Sequence, residues 1–506
     1  MSSTSAPVPV PPAARRPVPV PWLAEPARRF WAAQRTPAPT WVLATSAGVG
    51  CAAGGLVAGH RPGLGFALAG LLVWAVAAPN LLRHRAFGQL WLASLSVLLC
   101  GVVALRDAAW VASLSVLAAM GTAAVAATSA RSAGGVLLSA PAWVAGAVRA
   151  VPWLGRRANA LSHGRSESLV RALGAVSLTA LLLVVFGALF ASADAVFASY
   201  LPRPDLHLLP AQAAVALLAS VACATNGQLV SAPPPTAELR APAGGPSTRW
   251  AWALPVTALA ALVWAFVLVQ VAALVGGHRY VDATAGLTYA EYTRQGFAQL
   301  VVATALTLVV VAVAVRHAPR ASAADRLVVR ASLGALCVGT LGVVASALRR
   351  VDLYVEAFGL TRLRLLVVFG EVALGAIVVL VLVAGVRWSG GWLPRAVVGV
   401  ASVSMLALAA VNPDAQIVRY NASATAQGRL DVTYLQGLSA DAVPAADALA
   451  EPMRSCVLAG LGRYGPQEVA GWNFGRARAR AAGVPTSSGL ACTNVASAQA
   501  AQNDRR

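Results

Sequence analysis

The chain contains no lysine: all 39 basic residues are arginines, set against 19 carboxylates for a formal charge of +20. Charge as a whole is scarce, at 11% of residues, whereas 58% are hydrophobic. Soluble domains carry about 45–50% apolar residues, so the excess reads as an integral membrane protein with the lipid bilayer as its first partner. A basic surplus signals either nucleic-acid binding or membrane topology. No soluble basic face with interleaved aromatics exists here, which excludes a nucleic-acid partner. The six cysteines form no CxxC pair or His/Cys cluster, so no metal site of the zinc type is expected. Phosphate-binding, kinase, protease and haem-ligand motifs are also missing, and no cofactor is implied. No signal peptide is expected either: residues 1–40 are rich in Pro, Ala and Arg, without an apolar core before a cleavage site. They read as a disordered cytoplasmic arm.

What is present is a series of apolar runs. Eleven, at 41–59, 63–82, 88–105, 108–130, 169–191, 209–230, 251–275, 297–315, 328–348, 365–384 and 393–411, approach the roughly 20 residues that cross a bilayer as helix. The fold class expected is all-α: a polytopic transmembrane bundle of about eleven helices over 41–411, followed by a small extracytoplasmic helical tail over 412–506. With the N-terminus inside, 21 arginines fall in inner segments and nine in outer loops, with the tail left uncounted. This bias orients the chain with its N-terminus cytoplasmic and its C-terminus extracytoplasmic, in a bacterial plasma membrane. All eight tyrosines fall in segments assigned outside. So do Cys456 and Cys492, the two cysteines in a polar region, which are a candidate disulfide.

The densest ionisable stretch is ALRRVDLYVEAFGLTRLRLLVVFGE, ending at Glu371. Charges beside a membrane cost several kcal/mol to desolvate unless they pair or line a wet cavity. Asp352 and Glu356 are one helical turn apart with Arg349 and Arg350 just before them. Thr361 is placed to cap the next helix, on which Arg364 and Glu371 share a side and Arg362 stands at the start. Either this is a salt-bridged elbow or it is a ligand site. Glu371 is the one carboxylate well inside an expected span, where ionisable groups are functional by default. Other extracytoplasmic candidates are Asp194, then Arg279 and Asp282 after the seventh run, Tyr289 and Tyr292 at the entry of the eighth, and Asp414 in NPDAQIVRYN. Thr288 and Glu291 have the spacing of a capping box.

The motifs GLTYAEYTRQGFAQL, ALRRVDLYVEAFGLTRLRL, NPDAQIVRYN and GRLDVTYLQGLSADAVPA occur in this order between residues 170 and 480. They resemble a family of bacterial multi-pass membrane proteins catalogued as domain of unknown function 4173, with a related group numbered 4153. The resemblance implies a polytopic membrane fold and carries no catalytic residue. Three functions fit the polar pattern. One is transport of an envelope precursor or anion through an outward-facing cluster. Another is a sensor, scaffold or assembly partner that docks a protein through 412–506. The third is an envelope enzyme on a lipid-linked substrate, with Asp352 or Glu356 as base and arginines on phosphate.

Overall fold

The computed structural model describes residues 37–163, 206–235, 249–285, 297–318, 322–422, 431–451, 453–462 and 464–482, with five helical positions between 179 and 190. Among these residues the regular structure is helical. In order the helices are α1 (Thr40–Val57), α2 (Leu64–Leu72), α3 (Ala78–Arg83), α4 (Phe87–Leu105), α5 (Ala109–Ala127), α6 (Ala133–Leu137), α7 (Ser139–His163) and α8 (Leu209–Ser231). There follow α9 (Arg249–Ala285), α10 (Phe297–His317), α11 (Ala323–Phe358), α12 (Arg362–Arg387), α13 (Leu393–Val411), α14 (Pro413–Ala422), α15 (Val432–Gln436), α16 (Val443–Ala446), α17 (Met453–Leu461) and α18 (Phe474–Ala482).

Nine of the described helices are long and apolar enough to cross a membrane: α1, α4, α5, α8, α9 over Ala251–Ala272, and α10 through α13. The chain is a multi-pass membrane protein. These nine correspond to nine of the eleven apolar runs; the run at 169–191 lies largely outside the described residues, as does the arm at 1–36.

The remaining run, 63–82, is a helix broken in the middle. Pro79 in the first turn of α3 has no amide hydrogen, so a continuous helix would leave the Ala75 carbonyl without its donor. The chain instead turns at 73–77 and restarts. Irregular backbone at membrane depth survives only where protein covers it, and α8 supplies the cover. The Asn226 amide donates to the Val73 carbonyl (3.1 Å) and the Cys223 thiol to that of Leu72 (3.8 Å), while the Trp74 indole donates to Ser96 (3.1 Å). A Cβ at Gly227 would collide with the Val76 side chain, so only glycine lets α8 approach this closely.

Contacts between loops sort the helix ends into two sets. At one end Arg395 donates to the carbonyls of Ser129 and Ala130, Arg330 to that of Val386, and Asn80 to Ser231. This is the arginine-rich end. At the other, the loops at 58–63, 106–108, 359–361 and 412 meet the chain after α14. There the tail segments form a core of their own with the start of α12, through Leu435, Val443, Val457, Leu458 and Leu365. The expected helical tail is interrupted: 464–473 is irregular and follows the loops beneath it, and helix resumes at Phe474.

Candidate functional site

At the tail-bearing end, α11 stops at Gly359, whose φ of 77° suits glycine, and α12 starts with Thr361 accepting from the Arg364 amide. The expected cap therefore forms. Of the charges gathered here, most are tied into the architecture. Arg349 pairs with Asp352 at 2.6 Å in an i,i+3 contact, both about half exposed. Arg350 and Ser346 donate to the Gln270 side chain of α9 at 3.2 and 3.0 Å. Arg364 turns back onto the carbonyls of Phe358 and Gly359 and lies 4.1 Å over the Tyr354 ring, away from Glu371. The Tyr420 hydroxyl is pushed up, by burial first and then by the charges of Glu356 and Asp352.

Arg362 and Asp414 form a bidentate pair, Nε to Oδ1 at 3.0 Å and Nη2 to Oδ2 at 2.7 Å. Asp414 also accepts from the Trp110 indole at 3.3 Å and the Ser439 amide at 2.9 Å, and the Arg362 amide donates to the Tyr434 hydroxyl at 2.9 Å. Burial alone would raise this carboxyl; the Arg362 hydrogen bonds and charge outweigh it and hold it below the usual range.

Two further carboxylates complete the tail's attachment, and neither was among the candidates. Asp441 accepts from the amides of Asp107 and Ala108 at 2.7 and 2.9 Å, capping α5 from more than 300 residues away. Burial pushes it up, against the two amides and Arg106. Asp107 in turn receives Arg476 at 2.8 Å, a guanidinium that also donates to the carbonyls of Pro62 and Gly471. The first amides of α2, on Leu64 and Gly65, donate to the carbonyls of Trp472 and Ala470. Asp107 adjoins Arg106 in the short turn between two spans, and Asp441 lies inside the motif GRLDVTYLQGLSADAVPA. Those positions were the only signal that pointed to them.

Glu371 stands apart from this network. It lies nine residues into α12, about 13 Å along the axis from Arg362. Its relative exposure is 0%, and among the described residues neither carboxyl oxygen has a hydrogen-bond partner. With Leu365, Gly375 and Val378 it makes the buried stripe of α12, which packs on α11 where Gly375 faces Val344. No described arginine reaches it.

Asp194, Tyr289 and Tyr292 lie outside the described residues, with Thr288, Glu291 and Cys492; for Arg279 and Asp282 only the helical backbone of α9 is described. Cys456 is disulfide-bonded, while Cys51, Cys100, Cys223 and Cys337 are free.

A family model described as Domain of unknown function (DUF4153) matches residues 93–449. Of the two related groups that the four motifs resemble, this is the second, and the match starts well before the first motif. No curated protein matches the chain, and no solved structure does.

Proposed function

Because the chain belongs to the family described as a domain of unknown function, DUF4153, its activity has to be read from its own residues, and we propose that it is a membrane transport protein in which Glu371 carries the coupling proton or cation. The observation that carries this reading is a carboxyl 0% exposed, inside a span, with no partner among the described residues. A lone carboxylate cannot persist in such surroundings; it has to hold a proton or a cation. A group that must bind one or the other is suited to alternate between them, as coupling carboxylates do. The broken pair α2 and α3 supports the same reading, since discontinuous helices are common where transporters build their sites.

The guanidinium groups at the tail-bearing end lend little to recognition of an anionic cargo such as an envelope precursor. Arg362 and Arg364 are committed to Asp414 and to backbone carbonyls. In this reading the arginine-rich end is cytoplasmic and the tail extracytoplasmic, as the arginine bias favours. The test is proton flux into proteoliposomes holding a pH-sensitive dye. Wild type dissipates an imposed pH gradient and Glu371→Gln does not; equal rates for the two would end the proposal.

A second reading, docking of a partner protein on the tail, is supported by Val469, 80% exposed beside Trp472 and Phe474, whose rings lie 6.5 Å apart. The enzyme reading has no comparable support, because Asp352 is engaged with Arg349 on open surface.

A further inference from the structure

At the arginine-rich end, a cleft of about 220 Å³ runs between the last turns of α10 and α12 and the first turns of α11 and α13. Its walls are mostly apolar, with Val311, Leu333, Cys337 and Leu382 along them. Two glycines keep it open: at Gly334 on α11 and Gly385 on α12 an added Cβ would meet nothing within 4 Å. The volume falls below the roughly 300–1,000 Å³ of sites for drug-sized ligands, so the slot suits a single thin chain.

One cation stands at the mouth. Arg330 donates from Nη2 to the Val386 carbonyl at 3.1 Å, and its guanidinium lies 5.3 Å from the centre of the Trp388 ring. No described carboxylate pairs with it. Trp388 is held in the left-handed region, φ 51° and ψ 29°, at the cap where glycine is the usual residue. A bulky residue there is strained by about 1 kcal/mol or more, and the conformation sets the indole beside Arg330 at the rim. The slot is apolar, the rim is a fixed cation stacked on an aromatic ring, and both sit at the end of a membrane span. Basic pockets between transmembrane helices hold anionic lipid head groups in this way.

We infer that this cleft binds one acyl chain of an anionic amphiphile, with Arg330 on its phosphate or carboxylate and Trp388 fixing its depth. The inference is independent of the role of Glu371. Phosphatidylglycerol and a free fatty acid share the required chemistry. Phosphatidylcholine, whose head group carries no net charge, is the control.

The experiment is native mass spectrometry of the full-length, delipidated protein titrated with phosphatidylglycerol, phosphatidylcholine of matched chains, or palmitate. Wild type is expected to retain one phosphatidylglycerol at collision energies that strip the rest, with about fivefold preference over phosphatidylcholine, the effect of one cation near the surface. Arg330→Gln removes the preference, Arg330→Lys keeps most of it, and Gly334→Leu fills the slot and abolishes the retained lipid of either kind. Palmitate bound in place of phosphatidylglycerol, with the same dependence on Arg330, supports the site and identifies its occupant as a free acid. Equal retention of the two phospholipids by wild type, or retention undiminished in Arg330→Gln, overturns the inference. Arg330 is exposed, so its variants carry the test even where Gly334→Leu does not fold.

Discussion

Asp414 is fully buried and accepts four hydrogen bonds, two from Arg362 and one each from Trp110 and Ser439. Its folded-state pKa lies below the unfolded value of about 3.9, so the fold favours the ionised form. That contribution is complete above the unfolded value and decays as pH falls through the folded one. Docking of the tail by this pair should therefore hold from neutral pH down to about pH 4 and loosen only in stronger acid. Limited proteolysis of the tail across pH checks this, and release already near neutrality would contradict it. Asp441, which burial raises, works in the opposite sense and lowers the tail's stability as pH rises through its own value. Arg362→Ala leaves a buried carboxylate with neutral donors only and should cost about 3 kcal/mol, seen as faster amide exchange in α15 and α16. Asp414→Asn should cost less, because the guanidinium it strands is one-third exposed and keeps water.

At the scale of elements, the interruption between α2 and α3 takes hydrogen bonds from two side chains of α8, Asn226 and Cys223, of which the amide makes the shorter. Asn226 donates to the Val73 carbonyl and accepts from the Trp143 indole of α7 at 2.9 Å. Replacing it with leucine fills similar volume but leaves both partners unsatisfied, so Asn226→Leu should lower stability by about 1–3 kcal/mol, measured as an earlier thermal transition in detergent. An unchanged transition would mean that water or relaxation replaces the amide. The break was hidden in the sequence because 63–82 reads as one apolar run, and only Pro79 marks it. Thr225, Asn226, Gly227 and Gln228, four polar or small residues in a row inside another run, were a legible sign that α8 buries polar chemistry. The cap at Thr361 was legible, because it acts within one turn of chain: its side chain starts α12.

Across the whole molecule, hydropathy and arginine spacing were enough to give a helical multi-pass protein, since crossing hydrocarbon imposes a length and a composition on each span. The pairings at the tail-bearing end were not legible. Asp441 meets Asp107, and Arg476 meets Pro62, over separations of more than 300 residues that no local period encodes. That is why the stretch at 349–364 read equally as a salt-bridged elbow or a ligand site: the partners of Arg350 and Arg362, Gln270 and Asp414, lie on other helices. Glu371 was legible for the opposite reason: a single carboxylate in an apolar helix needs no partner to be noticed. The proposed orientation and bond predict that Cys456 pairs with Cys492 on the extracytoplasmic side. Tail thiols should then react with impermeant maleimide only after reduction of intact cells, and labelling without reductant would refute this. The most direct measurement concerns Glu371 and needs no knowledge of the cargo: treatment of membranes with a lipid-soluble carbodiimide, followed by peptide mass spectrometry and thermal melting of Glu371→Gln. A lone, protonatable carboxyl predicts an adduct on Glu371 and a variant at least as stable as wild type. No adduct, together with a variant destabilised by several kcal/mol, would show that Glu371 is a paired structural charge and contradict the account.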